Sequence, residues 1–320
     1  MIGHDQAWHE WRAAMASERM HHAWILSGKQ GLGKASFARE AAQALVAEPG
    51  VPQPAADTHP DILVLGHLPS NDDEEKKRAE GKPYQTKRNI TIDQVRRMQQ
   101  RLTTRPTLGN RRAVVIDPAD DLEKGAVNAL LKSLEEPPSG TFFLLVTHRP
   151  GRLLPTVRSR CRTVRFAPLP DADVAAILAR ETPQADAATC RAAVAAAEGS
   201  PGSALAFVEQ NLGALHGVML QLLRDGDPAF ALRGILAGEI GARPDRERMQ
   251  ATLELARAVL AGELNSAPRE RQARIIAAHG ELTVLTAQAP TYNFDPGLLA
   301  MEIGGLLAST ALPRETASTS

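Results

Sequence analysis

The stretch Gly28-Lys29-Gln30-Gly31-Leu32-Gly33-Lys34-Ala35 decides how the rest of the chain is read. Its glycines and lysine fall at P-loop spacing, where backbone N–H groups turn inward around phosphates and the lysine adds a point charge. Trp24-Ile25-Leu26 before it reads as a strand, and residues 35–46 read as the helix leaving the loop. Ala35 breaks the motif. The Ser or Thr hydroxyl that ligates magnesium is replaced by a methyl group, and Ser36 lies one residue out of place. Gly28, Gly31, Gly33 and Lys34 are thus the candidate nucleotide contacts of a degenerate P-loop, and ATP binding stays open.

Outward from the loop, short apolar runs alternate with helical spacing. Ile62 to Leu65, Ala113 to Ile116, Phe142 to Thr147 and Thr163 to Phe166 are further predicted strands. Val95, Met98 and Leu102 share one helical face. Leu122, Ala126, Leu130 and Leu134 share another, until Pro137-Pro138 stops the helix. The alternation predicts a parallel five-stranded sheet flanked by helices. Asp120, with Glu123 three residues on, reads as a helix-start capping arrangement. His67 to Arg88 is polar, its run Asp72-Asp73-Glu74-Glu75 passing straight into Lys76-Lys77-Arg78, and is expected to be a solvated, partly disordered insertion. These elements assign residues 1–166 to one α/β domain. Residues 167–208, opening with Pro168-Leu169-Pro170-Asp171, form a small helical unit, and 209–310 form an alanine- and leucine-rich helical domain. Its clearest stripe is Leu253, Leu255, Ala256, Val259, Leu260 and Leu264, and residues 311–320 are expected to be a disordered tail.

Two further motifs bear on chemistry. Val114-Val115-Ile116-Asp117-Pro118 is an apolar strand ending in the acid of a Walker B pattern, so Asp117 is a degenerate magnesium-site candidate. Pro118 stands where a working ATPase of this type carries the glutamate that polarises water, so hydrolysis by this chain is not expected. Arg158-Ser159-Arg160-Cys161-Arg162 places three arginines in five residues. It reads either as a solvated basic loop or as an arginine finger, since a planar, permanently charged guanidinium can bridge γ-phosphate oxygens in a neighbouring subunit.

The bulk numbers narrow the class. With 37 basic and 37 acidic residues, the formal charge is zero, which argues against a chain gripping nucleic acid alone. Arg96, Arg97, Arg101, Arg105, Arg111 and Arg112 could touch a nucleic-acid backbone inside an assembly, but no aromatic residues are interleaved with them. The two cysteines, Cys161 and Cys190, form no zinc module or disulfide framework, as expected in a reducing cytoplasm. Cys161 reads as packed, and His21-His22 as a packing or capping pair. No apolar run approaches the ~20 residues of a membrane span, and the start lacks the apolar core of a signal peptide, so a soluble cytoplasmic protein is expected.

In order along the chain, these residues resemble the delta-prime subunits of bacterial DNA polymerase III clamp loaders, within the AAA+ superfamily. The likeness is carried by His21-His22-Ala23, the Gly28 to Lys34 loop and Thr58-His59-Pro60-Asp61. It continues through Asn128-Ala129-Leu130-Leu131-Lys132-Ser133-Leu134-Glu135-Glu136-Pro137-Pro138 and Leu153 to Arg162, the two most specific blocks. It covers residues 20–205, with a weaker echo at Asn293-Phe294-Asp295. The resemblance implies an AAA+ P-loop (RecA-like) module, a helical lid and an all-α C-terminal collar. It makes Ser159-Arg160-Cys161 the SRC motif, with Arg160 as a finger presented in trans to an adjacent motor subunit. It puts Thr147 at the sensor-1 position, and Gly202 where motor subunits carry the sensor-2 arginine. The implied partners are the motor (gamma/tau) and delta subunits, with the sliding clamp and primer–template DNA met through the assembly and no membrane. No cofactor is required by this reading. Many relatives carry a four-cysteine zinc module, but residues 49–58 hold no cysteine, so no zinc is expected. The competing reading is an ATP-hydrolysing motor subunit of the gamma/tau type, which needs the missing hydroxyl and glutamate.

Overall fold

Five apolar runs of the sequence become five parallel strands in the computed structural model, which describes residues 2–264, 266–289 and 294–311. The chain divides into two units, Met1–Pro168 and Leu169–Ser320. In the first, α1 (Asp5–Met15) leads into β1 (Ala23–Ser27) and α2 (Lys34–Val46). β2 (Ile62–Leu65), α3 (Asp72–Ala79), α4 (Ile92–Leu102) and β3 (Arg112–Ile116) follow. α5 (Lys124–Glu135), β4 (Thr141–Thr147), the short α6 (Pro155–Arg158) and β5 (Arg162–Arg165) complete it. The strands lie in the order β2-β3-β4-β1-β5.

Alternation along each strand sorts apolar side chains onto two faces. Trp24 and Leu26 of β1 join Trp11, Phe37, Leu45 and Val115 on the side of α1 and α2. Ala23 and Ile25 join Val95, Met98, Leu130 and Phe143 on the side of α4 and α5. Burial on both faces explains why the strands read as continuous apolar runs. Each buried Val, Leu, Ile, Phe or Met side chain removed from water stabilises the unit by about 1.5–3 kcal/mol. α4 starts where Thr91 and Gln94 form a capping box. Because β3, β4 and β1 are parallel neighbours, their C-terminal ends gather Asp117, Thr147 and Gly28 along one edge of the sheet.

Two expectations are corrected here. His67 to Arg88 is built, not a structureless loop. Leu68, Ser70, Gln85 and Lys87 pair through their backbones, with Ser70 N donating to Gln85 O at 2.9 Å and Lys87 N to Leu68 O at 2.7 Å. α3 spans the acidic-to-basic run, capped by Asn71, whose Oδ1 accepts from Glu74 N at 3.0 Å. The buried Glu74 ties the helix to the returning chain by accepting from Gln85 N at 2.6 Å. Arg112 is not a surface arginine: it is 2% exposed. It lies 3.7 Å from Asp61 and donates to the carbonyls of Arg101, Thr104 and Arg105. Asp61, 1% exposed, also accepts from Thr107 N and Leu108 N at 2.6 and 2.7 Å. The Thr58-His59-Pro60-Asp61 block therefore organises the turn between α4 and β3.

The second unit is helical among its described residues: α7 (Asp171–Glu181), α8 (Ala187–Ala197), α9 (Pro201–Glu209), α10 (Gly213–Asp225), α11 (Ala231–Ile240), α12 (Arg246–Leu264), α13 (Arg269–Gln288) and α14 (Pro296–Ala308). α7 begins directly after Pro170, where the proline and aspartate pattern predicts a start. Asp186, Ser200 and Asp295 cap α8, α9 and α14 through their side-chain oxygens. The α12 stripe is packed: Leu253, Leu255, Ala256, Val259 and Leu260 are buried, and Leu264 is half-buried. Apart from Ala167 and Pro168, the segments expected as lid (167–208) and collar (209–310) fall within this one unit. Asn293 of the C-terminal echo and residues 312–320 of the expected tail lie outside the described residues.

Candidate functional site

The P-loop keeps its shape through glycine geometry. Gly31 and Gly33 adopt φ of 79° and 77°, a region side chains resist, and Gly33 opens α2. A Cβ on Gly28 would stand 2.6 Å from Phe166 O, so the chain after β5 closes on the loop. Lys34 is 2% exposed. Its Nζ donates to Gly28 O at 2.7 Å and to Lys29 O, the loop's own carbonyls. Burial brings its pKa down to about 8, with the charges of Asp117 and Asp120 opposing the shift.

Asp117 follows β3 and faces a cation the sequence reading missed. Arg39, on α2 one turn past Ala35, places Nη1 3.9 Å from Asp117 Oδ2 and Nε 3.0 Å from Asp57 Oδ1. Burial pushes the Asp117 carboxyl up, while Arg39, Lys34 and His67 pull it back. A magnesium ion does not fit this donor set: Ala35 has no side-chain oxygen, and the acid meant to help hold the metal is already faced by a guanidinium. Among the described residues, no group of three or more His, Cys, Asp or Glu is arranged to hold a metal ion.

Asp120 does not cap a helix. α5 starts later, at Lys124, and the Asp120 carboxylate instead ties down the end of β4. It accepts from Thr147 Oγ1 at 2.5 Å, His148 N at 2.6 Å and Arg149 N at 3.3 Å. The hydroxyl at the expected sensor-1 position is thus engaged by an acid of this chain. His148 is held near pKa 4, first by burial and then by the Lys34 charge, against Asp120 and Asp121. Its Nδ1 is buried without a hydrogen-bond partner.

The Ser159-Arg160-Cys161 corner lies between α6 and β5. Arg160 Nη2 pairs with Glu135 Oε1 at 2.7 Å, and Nη1 donates to Thr156 O at 2.8 Å. Cys161 packs against the α4–α5 face, and burial lifts its thiol to about pKa 12, which suits the packed reading. His21 and His22 stack at 4.8 Å, with a His22 ring nitrogen 2.8 Å from Leu134 O. The structure thus brings Gly28, Gly31, Gly33, Lys34, Asp117 and Thr147 to one edge of the sheet. Arg160 stands apart, bonded to none of them in the contacts described above. Arg39 and His148 carry no motif spacing that would single them out; Asp120 and Glu135 lie in stretches singled out for other reasons, and their contacts with Thr147 and Arg160 were not expected.

The family model described as DNA polymerase III, delta subunit, matches residues 3–170. DNA polymerase III subunit delta' of Pseudomonas aeruginosa is 36% identical over 192 residues, covering 56% of this chain and 53% of the relative. Subunit delta' of Escherichia coli is 30% identical over 236 residues, covering 70% and 66%. The match thus spans about half to two thirds of the length of these relatives. DNA polymerase III subunit gamma/tau of Mycobacterium bovis is 29% identical over 217 residues, covering 66% of this chain and 36% of the relative. A solved gamma subunit-related protein of Thermotoga maritima superposes with TM-score 0.50 at 20% identity, covering 96% of this chain and 99% of that one. This likeness concerns the fold. The parallel sheet with its helices and the helical C-terminal region are the AAA+ architecture that the sequence reading expects.

Proposed function

The chain belongs to the DNA polymerase III delta-subunit family, in its delta-prime form, and from that premise we propose that it is a non-hydrolysing clamp-loader subunit offering Arg160 in trans to a neighbouring motor subunit. The observation that carries this reading is an asymmetry. The chain's own pocket lacks the magnesium hydroxyl at Ala35 and the base at Pro118, and its Lys34 is bonded back onto the loop. The corner at Arg160 keeps a guanidinium with 35% of its side chain exposed. A guanidinium there can stabilise charge on a γ-phosphate in an adjacent ATP site, an effect of ~10³–10⁵ in turnover where fingers have been measured.

In this role the chain joins motor (gamma/tau) and delta subunits in the cytoplasm as part of a DNA polymerase III holoenzyme, and meets the sliding clamp and primer–template DNA through the assembly. No helix of the described residues is long and apolar enough to cross a membrane. The alternative of a hydrolysing motor subunit draws on the likeness to gamma/tau proteins. ATP turnover by the purified chain, with and without primed DNA and clamp, separates the two. The proposal expects none above background in either condition, whereas DNA-stimulated turnover by the isolated chain would support the motor reading.

A further inference from the structure

Glu135 is the last residue of α5, just ahead of Glu136 and Pro137-Pro138, and Arg160 follows the one-turn α6. The pair therefore bridges two elements, unlike the local pairs on α3, where Lys76, Lys77 and Arg78 each meet the acid three residues before. The guanidinium has two anchors: Nη2 at 2.7 Å from Glu135 Oε1, and Nη1 donating to Thr156 O at 2.8 Å. One ion pair and one hydrogen bond, made by different nitrogens of the planar fork, restrict its swing. Both side chains remain partly in solvent, at 35% for Arg160 and 48% for Glu135, so such a pair contributes little to folding stability. What it does supply is orientation for a long, flexible side chain.

We infer that Glu135 is a positioning residue for Arg160, holding the guanidinium at the corner in the pose offered to a neighbouring phosphate. The inference rests on the finger reading of Arg160. A guanidinium already fixed loses less freedom when it meets the transferring phosphoryl group, and one left to swing loses rate through poor alignment. Glu135 itself touches no nucleotide in this account and acts only through Arg160.

The test is ATP turnover by the reconstituted loader, stimulated by clamp and primed DNA, for Glu135→Ala, Glu135→Gln, Arg160→Ala and the Glu135→Ala/Arg160→Ala pair. Assembly and melting temperature are checked for each. Glu135→Ala is expected to lower kcat on the order of 10-fold with little change in KM for ATP. Glu135→Gln, which keeps an acceptor oxygen, should fall between the two. In the Arg160→Ala background, Glu135→Ala should change nothing further. Unchanged kcat in Glu135→Ala would overturn the inference, and so would an equal fall in both backgrounds. If Arg160→Ala alone leaves turnover intact, the finger reading fails, and the positioning role falls with it.

Discussion

Lys34 and Arg160 are both cations on one α/β unit, and the structure treats them in opposite ways. Lys34 is 2% exposed and bonded to the carbonyls of its own loop. Arg160 has 35% of its side chain in solvent, held by one carboxylate and one carbonyl at a corner away from the loop. The loop's shape does not need the hydrolytic parts. It depends on glycines at positive φ and on the close approach of Phe166 O to Gly28. A pocket can therefore lose its hydroxyl and its base while the fold persists and still displays a cation elsewhere. On this view, charges around the pocket serve the chain's own stability, and charges at the corner serve a neighbour.

That division can be broken by measuring which charges matter to folding. Asp61→Ala should have the largest effect, about 3–5 kcal/mol by urea unfolding, because it leaves the buried Arg112 charge without its carboxylate and takes the acceptor from Thr107 N and Leu108 N. A loss below 1 kcal/mol would show that the α4–β3 turn is held by other contacts. Asp120→Ala should cost about 1–3 kcal/mol, since it takes the acceptor from the fully buried Thr147 hydroxyl and from His148 N.

The pH dependence sharpens the same point. His148 is neutral in the fold down to about pH 4, whereas its ordinary pKa is 6.5. The unfolded chain therefore takes up a proton first, and stability contributed here is lost as pH falls from 6.5 toward 4. Denaturation midpoints across that window should fall less steeply for His148→Asn, by ~1 kcal/mol once partial exposure is allowed for. Parallel slopes would remove His148 from the pocket's electrostatics. The smallest effect is expected for Arg39→Met, under about 1 kcal/mol in calorimetry, because its side chain is 35% exposed, Asp117 is 3.9 Å away and its closer partner Asp57 is on the surface.

Much of the first unit was legible because its signals are local. Apolar runs with glycine or proline punctuation located all five strands to within a residue or so, as with Ala113 to Ile116 inside Arg112–Ile116. Helical spacing placed Val95, Met98 and Leu102 on the buried face of α4. α3 was not legible, since a helix without an apolar stripe is held by a cap, by charge pairs three apart and by a buried Glu74 bonded to a distant backbone. Arg111 and Arg112 are adjacent and identical in type, yet Arg111 is exposed just before β3, while Arg112 opens the strand and is buried beside Asp61. The partners Arg39 of Asp117, Asp120 of Thr147 and Glu135 of Arg160 depend on folding, because sequence spacing does not encode which strand ends and helix ends meet.

The most direct test of the central claim is turnover by the reconstituted loader, stimulated by clamp and primed DNA, for this chain against its Arg160→Ala form at equal assembly. A fall of about 10³-fold or more is expected, with unfolding stability unchanged within about 0.5 kcal/mol. Turnover equal to that of the unsubstituted chain would contradict it and reduce the Ser159-Arg160-Cys161 corner to a surface loop.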